Sequence, residues 1–153
     1  MRKVLCMICT LCLLLLILGG CDLSPEKQLR DSVGKYKEIV YYCTEGFQDF
    51  TKYGKYQYYK VKLDNHKHFK PVSQDDIDVL MGYIENFESW VELNAENGDE
   101  KLTQIYDFDM SLVDASDYLY IYDDPDCSIE YGDYSVYFFD SQSMILYFFH
   151  NNI

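Results

Sequence analysis

The stretch Tyr134–His150, YSVYFFDSQSMILYFFH, decides the fold of this chain. It holds two apolar runs, Tyr134–Asp140 and Met144–His150, on either side of the polar segment Asp140–Ser143. Aromatic and β-branched residues favour strands, and short segments rich in Asp and Ser favour tight turns. The stretch therefore predicts a β-hairpin. Because both runs are apolar on both faces, we expect the hairpin to be covered on two sides.

Two more strands are predicted before this hairpin. In the run Tyr118–Asp123, every second residue is a tyrosine, and Leu119 and Ile121 occupy the alternate positions. This period of two places the tyrosines on one face of a strand and the aliphatic residues on the other. A similar alternation predicts a strand over Tyr56–Leu63.

Two helices are also predicted. A helix capped by Ser73 carries an apolar stripe from Ile77 to Val91 and ends by Asn97-Gly98. Ser24 and Pro25 form a helix start, and apolar residues spaced by four and three predict an N-terminal helix over Pro25–Thr44. The segment Asp99–Asp117 is predicted to be irregular.

These elements predict an α+β domain. We expect an antiparallel sheet of about four strands packed on the amphipathic helix, with a separate N-terminal helix.

The first residues have the order of a secretory signal. Arg2 and Lys3 precede an uncharged apolar run over residues 4–18, followed by Leu18-Gly19-Gly20-Cys21. As a helix, that run would be about 22 Å long, which is short for a bilayer core of roughly 30 Å. The alternative is an uncleaved signal anchor or a short transmembrane helix.

The Leu18-Gly19-Gly20-Cys21 sequence resembles the lipobox of bacterial lipoproteins. The resemblance implies cleavage before Cys21, so that residues 1–20 are a signal peptide and residues 21–153 the mature domain. It also implies that Cys21 carries a diacylglycerol lipid. Two acyl chains give a lasting anchor, which predicts attachment to the extracytoplasmic face of the cell membrane.

Charge excludes one class of partner. The chain has a net charge of −13, and none of its 26 acidic residues lies in the first 20 positions. Such a charge repels phosphate backbones, so we expect no nucleic-acid binding.

The cysteines sort by position. Cys6, Cys9 and Cys12 lie in the predicted signal peptide, and Cys21 is the predicted lipid site. Cys43 and Cys127 remain as an even pair in an oxidising compartment, which predicts a disulfide between them. The alternative is two free or buried thiols.

Tyrosine is the most unusual component, with 16 residues of 153. Tyr118, Tyr120 and Tyr122 share one predicted strand face, and we take them as candidate binding residues for a protein, peptide or glycan. The alternative is an ordinary half-buried sheet face, for which tyrosine is well suited.

Other constellations are weaker. His66 and His68 could form half a metal site, but no third ligand is near in sequence, and an exposed loop is favoured. The acidic segment 123–133 lacks the spacing of a calcium loop. No motif for nucleophilic catalysis, phosphate binding or zinc hydrolysis occurs, and no cofactor is predicted. We therefore expect a non-enzymatic binding module at the cell envelope. The alternatives are a small envelope enzyme without a recognised motif and an immunity-type lipoprotein.

Overall fold

A computed structural model describes residues 24–44, 50–123 and 133–152. These ranges form three α-helices, one short 3₁₀ helix and six strands, in two units that divide after Ser32. In chain order the elements are α1 (Pro25–Val33), β1 (Gly34–Cys43), β2 (Phe50–Val61), β3 (Lys70–Pro71), α2 (Gln74–Glu96), α3 (Lys101–Ile105), the 3₁₀ helix (Met110–Leu112), β4 (Tyr118–Asp123), β5 (Tyr134–Asp140) and β6 (Ile145–Asn152).

The predicted α+β class is confirmed. All strand pairs are antiparallel, in the order β1-β2-β6-β5-β4-β3. The sheet therefore has six strands in the described ranges, rather than about four. The two additional strands are β1 and β3.

The helix start at Ser24 is confirmed, but the predicted helix over Pro25–Thr44 is wrong beyond Val33. The Ser24 hydroxyl accepts the Lys27 N–H at 3.3 Å, as an N-cap does. At Gly34, φ is +155°, and a Cβ there would lie 2.0 Å from the Lys60 carbonyl oxygen. The close approach of β2 therefore requires a glycine and ends the helix, and the aromatic and β-branched residues that follow favour a strand.

The β-hairpin that decides the fold is confirmed. In the β5–β6 pairing, Asp140 pairs with Ile145 across a turn in which Met144 takes a φ of +59°. The buried Asp140 carboxylate accepts the N–H groups of Gln142 at 2.8 Å and Ser143 at 3.2 Å, and the Ser143 hydroxyl at 2.5 Å. These bonds fix the turn by satisfying its backbone donors.

Helix α2 covers one face of the sheet. Its buried residues Leu80, Ile84 and Phe87 belong to a core cluster that includes Tyr53 of β2 and Phe149 of β6. The Phe87 and Phe149 ring centroids are 5.3 Å apart in an edge-to-face contact. Burying each of these side chains contributes about 1.5–3 kcal/mol.

The other face of the sheet is also aromatic and buried. Tyr137 of β5 stacks on Phe148 of β6 with centroids 4.8 Å apart, and Tyr58 of β2 contacts Phe139 at 6.0 Å. Phe69, from the segment before β3, contacts Tyr137 from this side. Every residue of β5 is buried, which agrees with the expectation that the hairpin is covered on two sides.

Candidate binding groove at the edge of the sheet

A concave site lies where β3 ends along the edge of β4. We call it the edge groove, and its volume is about 450 Å³. It is lined by His68, Lys70, Asp76, Val79, Leu119, Tyr120 and Ile121. β3 pairs with β4 only through Lys70–Leu119 and Pro71–Tyr118, whereas β4 continues to Asp123. The groove therefore lies along a strand edge, and side chains from both faces of the sheet line it.

A histidine turn explains why β3 is so short. The Nδ1 atom of His66 accepts the backbone N–H groups of His68 at 3.3 Å and Phe69 at 3.4 Å. Burial lowers the pKa of His66, and the neighbouring His68 and Lys67 lower it further, which favours the neutral ring that can accept these bonds. The His68 N–H is thereby used within the turn, so pairing with β4 stops at Lys70.

The rings of His66 and His68, which the sequence offered as half a metal site, both have other contacts here. The ring of His66 is held by backbone donors, and that of His68 packs against Tyr120 with centroids 4.8 Å apart. Within residues 24–44, 50–123 and 133–152, no cluster of three or more His, Cys, Asp or Glu side chains could hold a metal ion.

The backbone of β4 presents hydrogen-bonding groups to the groove. The Val72 N–H donates to the Asp117 carbonyl at 2.9 Å, so Asp117 directs its carbonyl group toward the β3 side. In antiparallel strands this direction alternates with a period of two. The backbone groups of Leu119, Ile121 and Asp123 therefore point outward as well, and β3 pairs with Leu119 but not with Ile121 or Asp123.

The start of α2 forms the opposite wall of the groove. The N–H and hydroxyl of Ser73 donate to Asp76 Oδ2 at 3.0 and 2.6 Å, and Lys70 Nζ lies 2.6 Å from Asp76 Oδ1. The Lys70 ammonium and the Ser73 donors lower the pKa of Asp76 to about 2. One turn further along, the Val79 side chain is 51% exposed and gives this wall an apolar surface.

The three candidate tyrosines lie on the same strand but differ in their surroundings. The half-buried Tyr118 donates its hydroxyl to Asp64 at 3.2 Å. Tyr120 lines the groove and stacks on Tyr137, with an interplanar angle of 18°. Tyr122 is 55% exposed. Only Tyr120 of the three lines the groove, beside the exposed Tyr122.

Asp123 is the last residue of β4, two positions beyond the groove residue Ile121, and the sequence singled it out only as part of the acidic segment 123–133. It shares the α2-facing side of β4 with Leu119 and Ile121, and Tyr83 of α2 donates its hydroxyl to Asp123 Oδ2 at 2.5 Å. Its other carboxylate oxygen, Oδ1, is buried and accepts no hydrogen bond from the described part of the chain. Asp123 therefore ends β4 with a half-buried carboxylate that Tyr83 holds on the α2 side.

Two further buried tyrosines also donate their hydroxyls to aspartates. Tyr53 of β2 donates to Asp107 at 2.9 Å, and Tyr42 of β1 donates to Asp99 at 3.0 Å. Burial, with the adjacent Asp107 carboxylate, raises the pKa of Tyr53. These pairs explain part of the joint abundance of tyrosine and aspartate, because each phenol ties a connecting segment to the sheet.

A serine, a histidine and an aspartate lie together at the start of β5, but not as a catalytic triad. His150 Nδ1 is 3.0 Å from Ser135 Oγ, 2.9 Å from the Tyr134 carbonyl oxygen and 3.7 Å from Asp133 Oδ1. A carbonyl only accepts, so the bond to Tyr134 requires the proton on Nδ1. A triad needs serine on one ring nitrogen and the carboxylate on the other. Here all three contacts share one nitrogen, which cannot then take a proton from Ser135.

Several predicted residues lie outside the described ranges. Cys21 and Cys127 are among them, so neither the lipid site nor the disulfide is tested. The Cys43 thiol, half-buried at the end of β1, lies 3.5 Å from the Thr44 carbonyl oxygen. Residues 124–132 of the acidic segment are also outside.

Among the residues that the structure describes, none belongs to a helix long and apolar enough to span a bilayer. Comparison with models of known protein families, with curated proteins and with solved structures finds no match to this chain.

Proposed function

We propose that this chain is a lipid-anchored lipoprotein of the cell envelope that binds a partner protein through the edge groove. The lipobox-like Leu18-Gly19-Gly20-Cys21 segment supports the anchor. The mature domain, residues 21–153, then lies on the extracytoplasmic face of the cell membrane, and its acidity keeps it off anionic lipid.

The observation that carries the binding role is a stretch of the β4 edge, inside a concave site, with which no strand of the described residues pairs beyond Leu119. Exposed strand edges are usually shortened, charged or covered, because they pair readily with other chains. Here no described strand pairs with the edge beside apolar Val79 and Ile121 and aromatic Tyr120. A groove that combines outward backbone groups with apolar walls is suited to a polypeptide ligand.

The groove suits a protein better than a glycan. Sugar recognition uses a free aromatic ring face, but the Tyr120 ring already contacts the rings of His68, Phe69 and Tyr137. Tyr120 therefore acts as a wall of the groove rather than as a stacking platform.

Site-specific photocrosslinking in producing cells tests this role. A benzoylphenylalanine is placed at Val79 or Tyr122, beside the groove. Matched controls carry it at Leu93, which is 41% exposed on the same helix, or at Tyr59, which is 69% exposed on β2. We expect a discrete crosslinked protein from the groove positions and none from the controls. Equal crosslinking at all four positions, or none at the groove, would contradict the proposal.

A further inference from the structure

Resting on the proposed binding role, we propose that the occupant of the edge groove is an extended basic peptide segment that pairs antiparallel with β4. In this arrangement the segment occupies the edge that β3 leaves open and places a Lys or Arg side chain against Asp123.

The backbone supports strand addition. The outward N–H and C=O of Ile121 are in register with Lys70–Leu119, at the next hydrogen-bonding position along the edge. His68 is the residue that a longer β3 would place there, but its N–H donates to the His66 ring. The chain thus stops its own strand where a peptide can continue the same ladder.

The side chains define which peptide fits. A residue opposite Ile121 points toward α2 and contacts Ile121 and the exposed Val79, so it is apolar. The residue two positions earlier in an antiparallel peptide lies opposite Asp123, on the same face. A basic side chain there lies beside the half-buried Asp123, whose carboxylate attracts it. The recognised pattern is therefore basic-x-apolar.

Net charge favours the same ligand. The chain has a net charge of −13, which attracts a cationic segment and repels an acidic one. Lys70 does not oppose the binding of a cationic segment, because its ammonium is paired with Asp76.

The opposite edge of the sheet, formed by β1, is less suited to pairing with a peptide strand. β1 is ten residues long, but its pairing with β2 shifts register between Lys35 and Tyr36 and again between Glu38 and Val40. Bulges and lysines such as the exposed Lys35 and Lys37 are devices that discourage edge pairing. Within the described ranges, the sheet thus has one edge that carries bulges and lysines and one edge, at β4, that β3 pairs with only in part.

A titration followed by NMR tests the inference. The probe is the blocked pentapeptide Thr-Lys-Thr-Val-Thr, added to the ¹⁵N-labelled full-length protein in detergent micelles. We expect saturable shifts and slowed hydrogen exchange at the Ile121 and Asp123 amides, which point outward. The Tyr120 and Tyr122 amides, which point toward β5, should keep their exchange rates.

Four matched changes, three in the peptide and one in the protein, make the test specific. Replacing the peptide lysine by glutamate, or methylating the valine nitrogen that faces Ile121, should weaken binding at least tenfold. Methylating the nitrogen of the central threonine, which faces away from β4, should change the affinity less than threefold. Asp123→Asn should reduce the preference for the lysine peptide over the glutamate peptide to less than threefold.

Binding that tolerates methylation of the valine nitrogen, or that is equal for both charges, would overturn strand addition by a basic segment. So would the lack of a saturable response at Ile121. If crosslinking from Val79 persists in that case, the groove still binds a partner in another way. If both the peptide response at Ile121 and the crosslink from Val79 are absent, the proposed function is overturned as well.

Discussion

At the scale of single residues, two glycines show how differently one residue type can serve this fold. Gly34 lies where β1 passes so close to β2 that a Cβ would contact the Lys60 carbonyl oxygen. Gly82 lies within α2, and a Cβ there would meet nothing within 4 Å. The first glycine is required by packing, whereas the second only lowers the helix propensity.

Alanine substitutions should separate these two roles. Gly34→Ala should lower the free energy of unfolding by roughly 2 kcal/mol or more, because the strands must separate to accept the methyl group. Gly82→Ala should raise it by about 0.5–1 kcal/mol. Urea denaturation measures both changes, and destabilisation by the two variants to the same extent would show that the approach at Gly34 is not required.

The His66 turn should make stability depend on pH. The folded state lowers the pKa of His66 below its usual 6.5, so the unfolded chain binds the proton more readily. The contribution of this turn is present above about pH 6.5 and is lost as the pH falls through the folded pKa. His66→Asn keeps a side-chain acceptor without titrating. The wild type should therefore lose stability relative to His66→Asn between pH 7.5 and 5, and parallel profiles would reject this role.

At the scale of elements, the cap of α2 fixes one wall of the edge groove. Asp76 receives two bonds from Ser73 and the ammonium of Lys70, whereas its neighbour Asp75 is exposed. The orientation of the first helical turn therefore depends on Asp76 in particular.

Asp76→Asn should cost about 1 kcal/mol of stability at pH 7, and Asp75→Asn only a few tenths. Because the folded pKa of Asp76 is lowered to about 2 from 3.8, its contribution is present above about pH 4 and disappears as the pH falls toward 2. Denaturation profiles of the wild type and Asp76→Asn should therefore converge in acid. A constant difference down to pH 2 would contradict the assigned interaction.

The elements that sequence predicts well are those with one clear period. The α2 stripe repeats as a helix does, and most residues of β4, β5 and β6 are aromatic or β-branched. The prediction for Gly34–Cys43 is wrong because its apolar residues are spaced by four and three, which is the spacing of residues on one face of a helix. What decides in favour of β1 is the approach of Lys60 to Gly34, a contact distant in sequence.

The edge groove shows the same limit. The alternation in Tyr118–Asp123 correctly predicts which residues share a face of β4. The location of the groove depends on where β3 stops, and β3 stops where the His68 N–H donates to the His66 ring instead of to β4. The pairing of Asp123 with Tyr83 spans 40 residues and leaves no periodic signal in the sequence.

At the scale of the whole molecule, a lipid at Cys21 would restrict an acidic binding domain to one membrane surface. Cys21→Ala removes the acyl acceptor, and Cys43→Ala serves as a control that keeps the anchor. We expect the first variant to lose its acyl mass and to leave the membrane fraction or remain uncut, whereas the second stays lipidated. Mass spectrometry and cell fractionation give the result. An unchanged mature mass and membrane partition for Cys21→Ala would contradict the anchor.

The measurement that tests the edge groove most directly is the affinity for the partner recovered by crosslinking from Val79. It is compared between Val79→Lys and Leu93→Lys, which place the same charge on exposed positions at opposite ends of α2. Equal melting temperatures show that both variants are folded. We predict that Val79→Lys weakens binding at least tenfold and that Leu93→Lys leaves it unchanged. Equal affinities for the two variants would show that the partner binds elsewhere.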